Sequence, residues 1–126
     1  MELKDQICSL ELAKELKKLG TKQKSLWCWF EYKDKQGSVY NICDKNRTYQ
    51  YQDGTKLTSD NKFIASAYTV AELGNILSKY GNYITWMTNK NKWAITRMNY
   101  MEFPELDSDT EANARAKCLI YLLKMG

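Results

Sequence analysis

The sequence predicts an α+β protein: an antiparallel sheet of about four to six strands with three helices, in the order α-β-β-β-α-β-β-α. Three observations carry that reading. Apolar residues recur at helical spacing in three separate stretches, each opened by a capping residue. Between them lie segments that alternate with a period of two and are rich in aromatic and β-branched residues. Short turn signals join neighbouring strands, which implies antiparallel pairing with the helices packed on one face.

The first helix is expected from an N-cap at Ser9 to about Leu19, with Leu12, Leu16 and Leu19 beside Ala13 as its buried stripe and Gly20 at C′. Its other face carries Glu11, Lys14, Glu15, Lys17 and Lys18, and Lys22 and Lys24 follow. That face reads as solvated and supported by Glu11–Lys14 and Glu15–Lys18 pairs, or as a patch that grips phosphate.

Leu26 to Tyr32 alternates as a strand. Leu26, Cys28 and Phe30 point to the expected core, and Trp27, Trp29 and Glu31 point away from it. The turn signal Asp34-Lys35-Gln36-Gly37 precedes a returning strand, Val39 to Cys43, and Tyr49 to Gln52 is a third strand closed by Asp53-Gly54. Asn46-Arg47-Thr48 is formally a glycosylation sequon.

Phe63 to Tyr68 leads into the best-specified helix. Thr69 and Glu72 form a capping box, and Val70, Leu73 and Leu77 share one face. This helix, ending near Tyr80-Gly81, is expected to be the spine of the fold. Gly74 in its interior costs about 1 kcal/mol relative to alanine, so it marks a close approach by a neighbouring element or a ligand. The clearest hairpin follows, Tyr83 to Thr88 and Trp93 to Met98. If Thr88 faces Trp93, then Ile84, Trp86, Ile95 and Arg97 share the core side. After Pro104, a second capping box from Ser108 to Glu111 opens the last helix. Its end, Cys118 to Leu123, is apolar nearly all round, which implies burial within the domain or at a subunit contact.

At 126 residues, 44% of them hydrophobic, the chain is read as one folded domain, 1–126. It contains no apolar run of transmembrane length and no recognisable signal peptide, so the expected setting is cytoplasmic. Cys8, Cys28, Cys43 and Cys118 match no zinc spacing and are expected as thiols. Histidine is absent, which removes the usual general base and the Ser-His and Cys-His pairs. Glu102, Glu105, Asp107, Asp109 and Glu111 cluster near Pro104, where acid–base work or stabilisation of the helix N-terminus would use them. No phosphate-binding loop, dinucleotide fingerprint or metal-ligand cluster is recognisable, so neither catalysis nor a cofactor or metal is expected.

The chain has 19 basic against 15 acidic residues and 4 Trp, 9 Tyr and 3 Phe. A mild positive charge with many flat rings suits an anionic, stackable ligand. Of the three arginines, Arg47, Arg97 and Arg115, the last two and Trp27, Trp29 and Trp86 are the candidate ligand-binding residues; for Trp27 and Trp29 the alternative is burial under elements packed on the second face of the sheet.

Three stretches, Ser9 to Gly20, Ala67 to Gly74 and Asp109 to Leu123, in this order around a Trp-containing middle, resemble small phage- and prophage-encoded proteins of unassigned activity. The resemblance implies a bacterial host cytoplasm and an accessory counter-defence role, and brings no catalytic residues. The expected function is to bind and sequester a small nucleotide-derived signal without catalysis. The alternatives are a protein-binding module or inhibitor of a host defence protein, a homo-oligomer through the C-terminal helix, and a weak single-stranded nucleic-acid binder.

Overall fold

The computed structural model of the protein describes residues 2–34, 36–44, 62–97 and 106–125. Among these, the chain forms α1 (Leu3–Gln6), α2 (Leu10–Lys18), β1 (Trp27–Asp34), β2 (Gly37–Asp44), β3 (Lys62–Ser66), α3 (Val70–Leu77), β4 (Tyr83–Met87), β5 (Trp93–Arg97) and α4 (Glu111–Met125). The class is α+β as expected, but the strands divide into two antiparallel sheets, β2-β1-β3 and β4-β5, rather than one. At the start of β5, Trp93 forms an isolated antiparallel bridge with Ser108, exchanging hydrogen bonds of 2.7 and 2.9 Å. The third strand is Lys62–Ser66, read from the sequence only as a lead into the helix. The expected strand at 49–52, the sequon with Arg47, and Glu102, Pro104 and Glu105 lie outside the described residues.

Helix α2 begins and ends as its sequence directs. The Ser9 hydroxyl accepts from the Leu12 N–H, and Gly20 takes φ +92° beyond the last turn. Gly20 N–H donates to Lys17 C=O and Thr21 N–H to Leu16 C=O, the paired bonds of a Schellman motif. The two expected i, i+3 ion pairs do not form. Glu15 instead meets Lys124 of α4 at 3.1 Å. Lys14 and Lys17 lie over the rings of Tyr40 and Phe63, 5.3 and 5.2 Å from their centres, and Lys17 also donates to the Ile64 carbonyl at 2.9 Å. Rings and a strand carbonyl lie across the interface, within reach of stems that a helix-only reading leaves in solvent.

The spine of the fold is α4, not α3. It touches α1, α2, α3, β4 and β5, and buries Ala112, Ala114, Ala116, Cys118, Leu119 and Ile120. Three alanines in its first half, Ala112, Ala114 and Ala116, let neighbouring elements approach closely. The buried members of the Cys118–Leu123 run are thus covered by this chain's own core. The capping of α4 also differs from expectation. Thr110, not Ser108, accepts from the backbone at N3, through Asn113 N–H at 3.1 Å. Ser108 is buried in the bridge to Trp93, and Glu111 turns to Arg115 and Thr85.

The main core lies on the tryptophan side of β1. Trp29 pairs with Ala65 across the sheet, packs on the central cluster and donates its indole N–H to Cys8 C=O at 3.1 Å. Cys28 and Phe30, on the other face, are buried as well, so both faces of this strand are covered. Leu26 stands in the bend before the strand and is 58% exposed. In the second sheet the register is one residue from the expected one: Met87 faces Trp93, Trp86 faces Ala94 and Tyr83 faces Arg97. Asn91 adopts φ 57°, and Thr88 N–H donates to Lys92 C=O at 2.8 Å. The loop therefore closes over three residues with a left-handed asparagine, not over four. That slip turns Ile84 and Trp86 to the exposed face, opposite Thr96 and Ala94, and leaves Tyr83, Thr85, Ile95 and Arg97 sharing the other.

Candidate functional site: two grooves flanking helix α3

Helix α3 separates two concavities, and Asn75 lines both. Its capping box forms as read: Thr69 Oγ1 accepts from Glu72 N–H at 3.1 Å, and Glu72 Oε1 accepts from Thr69 N–H at 2.9 Å.

On one side lies a groove of about 500 Å³, bordered by Gly74, Ser78, Gly81, Tyr83, Ile95 and Arg115. The glycine in α3 answers to α4. A Cβ at Gly74 would stand 2.2 Å from Arg115 Nη1, so glycine is what admits the guanidinium. Arg115 then donates to Val70 C=O at 3.0 Å and to Glu111 Oε2 at 3.2 Å, and Thr85 hydrogen-bonds the same Glu111 oxygen. Arg97 does the same at the other end, its Nε lying 2.5 Å from where a Gly81 Cβ would be. Of the two arginines expected to hold a ligand, only Arg115 borders this groove, and it faces a carbonyl and a carboxylate of its own chain; Arg97 packs against Gly81.

On the other side lies a groove of about 450 Å³ between the end of α2, the connection to β1, and α3. The Schellman turn at Gly20 sends residues 21–25 along this wall, and side chains clamp them there. Gln23 Nε2 donates to Thr21 C=O at 3.0 Å and to the Tyr68 hydroxyl at 3.2 Å, while its Oε1 accepts from Ser66 N–H at 2.7 Å. Tyr68 donates in turn to Lys22 C=O, and burial pushes its phenol up to about 12. Ser25 Oγ stands 3.0 Å from Ala67 C=O and 2.7 Å from Glu72 Oε1, and accepts from Trp27 N–H at 3.1 Å. Glu72 Oε2 accepts from Leu26 N–H at 3.3 Å. Both oxygens of Glu72, the one carboxylate lining this groove among the described residues, are thus engaged by the fold.

The cations are not. Lys22, Lys24 and Lys79 line the groove and are exposed, and none takes part in an ion pair among the described residues. Tyr80 stands at the same groove with 41% of its surface exposed. The arrangement is a clamped wall with exposed positive charges and one flat ring, able to hold an anion and stack a planar group.

The other sequence-predicted residues fall elsewhere. Trp29 is a core residue, and Trp27, half-buried on β1, pairs with Asp44. Trp86 is 43% exposed on the outer face of the hairpin. The five do not form one site. Lys22 and Lys24 were visible in the sequence as part of a phosphate-gripping alternative; Lys79, Tyr80 and the bracing Tyr68 were not. Their signals were the C′ glycine, which predicts that residues 21–24 leave the α2 axis, and a tyrosine immediately before a capping box.

Asp109 is paired with Lys92, which holds its carboxyl below the usual range, and Glu111 is committed to Arg115 and Thr85. Among the described residues no group of three or more His, Cys, Asp or Glu side chains converges to hold a metal, and no helix is long and apolar enough to cross a membrane. No protein-family model, curated protein or solved structure matches this chain.

Proposed function

We propose that the protein is a non-catalytic binder of a small phosphate-bearing, nucleotide-like molecule, taken up in the lysine groove between α2 and α3. The observation that carries this reading is the set of three lysines, Lys22, Lys24 and Lys79, around one groove whose one acidic side chain among the described residues, Glu72, is already engaged. Tyr80 supplies a ring on which a base stacks while the ammonium groups hold phosphate. With the resemblance to phage accessory proteins, the role is sequestration of a nucleotide-derived signal in a bacterial host. Native mass spectrometry and calorimetry against cyclic and linear nucleotides, with inorganic phosphate and pyrophosphate as controls, test it. Binding should weaken as salt rises and fall at least tenfold when Lys22, Lys24 and Lys79 are all replaced by alanine. Absence of any bound nucleotide at low salt, or an affinity indifferent to the triple substitution, would overturn it.

A second reading, a protein-binding module, is favoured by the exposed apolar face of the hairpin, where Ile84 and Trp86 are 47% and 43% exposed. It predicts that Trp86→Ala weakens capture of a host protein while the triple lysine variant leaves capture intact. The single-stranded nucleic-acid reading loses the support of a tryptophan platform, because Trp29 packs on the core.

A further inference from the structure

The grooves leave one chemically distinctive pair unused. Cys28 on β1 and Cys43 on β2 are direct partners across the antiparallel ladder, and their sulfurs lie 3.2 Å apart with no disulfide between them. Facing residues of such a ladder have Cα atoms about 4.5 to 5.5 Å apart. That falls within the span of about 4.4 to 6.8 Å that a disulfide bridges, so only side-chain rotation has to bring the sulfurs to about 2.05 Å. Cys28 is fully buried and Cys43 is partly exposed, so a small oxidant reaches Cys43 first and Cys28 waits behind it. The remaining two thiols differ in kind. Cys8 and Cys118 belong to the central cluster, and burial pushes each up to about 12.

We propose that Cys28 and Cys43 are a redox-active pair that a peroxide closes into a reversible cross-strand disulfide. The thiolate of Cys43 attacks one peroxide oxygen; the O–O bond breaks, and the departing hydroxide takes a proton and leaves as water. The sulfenic acid so formed is attacked by the Cys28 thiolate, forming the S–S bond and releasing a second water. Two thiols lose two electrons and two protons, and one peroxide becomes two waters. A dithiol reductant reverses the bond by exchange at either sulfur. The product staples β1 to β2 within one chain.

Stoichiometric hydrogen peroxide applied to the folded, reduced protein tests this, with intact mass and tryptic mapping under non-reducing conditions. The expected result is a loss of two hydrogen atoms and one linked species joining the tryptic peptides 25–33 and 36–45, both reversed by dithiothreitol. Cys43→Ser should abolish the link, whereas Cys8→Ser and Cys118→Ser should leave it in place. A partly exposed position accepts serine without loss of fold, and circular dichroism confirms that each variant is folded. Persistence of both thiols, a link that uses Cys8 or Cys118, or covalent dimers in place of the internal bond would each overturn the proposal.

Discussion

The two grooves beside α3 are close in size and share Asn75, yet their cations have opposite fates. In the arginine groove the guanidinium of Arg115 fills the notch made by Gly74 and bonds to Val70 and Glu111. In the lysine groove the engaged charge is the anion: Glu72 is tied to Thr69, Ser25 and Leu26, while Lys22, Lys24 and Lys79 stay exposed. A bidentate, planar cation suits a fixed internal contact, and a flexible ammonium suits a ligand that arrives later. Counting basic residues in a cavity therefore says less than asking which of them the fold already uses.

The largest effect expected from breaking this contrast is at Glu72. Glu72→Ala removes the capping box and the ties to Ser25 and Leu26 together, and should lower unfolding free energy by about 2 to 3 kcal/mol. Glu72→Gln retains an acceptor for the Thr69 N–H and should lose about half as much. Urea denaturation measures both, and an alanine variant as stable as the parent would show that the groove wall is not braced from this side.

Arg115 comes next. Arg115→Ala should cost about 2 kcal/mol, because a charged donor leaves a carbonyl and a carboxylate that it satisfied. Nucleotide binding should be unchanged. The partner substitution sharpens the point: Gly74→Ala should destabilise the parent, since the new Cβ meets the anchored guanidinium. In the Arg115→Ala background the same change should stabilise by about 1 kcal/mol, the ordinary preference of a helix interior for alanine. A double-mutant cycle reads the sign reversal, and additive effects would mean that Gly74 and Arg115 are independent.

How much of this was legible in the sequence follows from the range of the interactions involved. The Thr69–Glu72 box, the Ser9 cap and the Gly20 turn were all read correctly, because each is settled within about one helical turn. The second capping box was misplaced by two residues because the Ser108 backbone is claimed by Trp93, some fifteen positions away. The hairpin slipped by one residue because the sequence Asn89 to Lys92 admits both three- and four-residue loops. Only the left-handed Asn91 decides between them, and with it which face Trp86 occupies. Gly74 announced a close approach but not its agent, which comes from a helix forty residues on. The planar, bidentate guanidinium that suits an arginine to a ligand is also what lets the fold use Arg115 for itself.

The smallest effect belongs to an intermediate case, Lys92, which is half-exposed and paired like Arg115. Its partner Asp109 has a carboxyl held below the usual range by the hydrogen bond and charge of Lys92. A carboxyl whose folded value is depressed contributes stability above its unfolded value, and that contribution is lost as pH falls through the folded one. Asp109→Asn should therefore lower stability slightly at neutral pH, with the difference shrinking to nothing in acid below the carboxylate range. Added salt should shrink it as well, since both groups face water. Chemical denaturation of the two proteins across pH and ionic strength reads this directly. If the difference persists unchanged in acid, the pair is not its source. If it exceeds the Arg115 effect, the division between cations held by the fold and cations left to solvent would not follow burial.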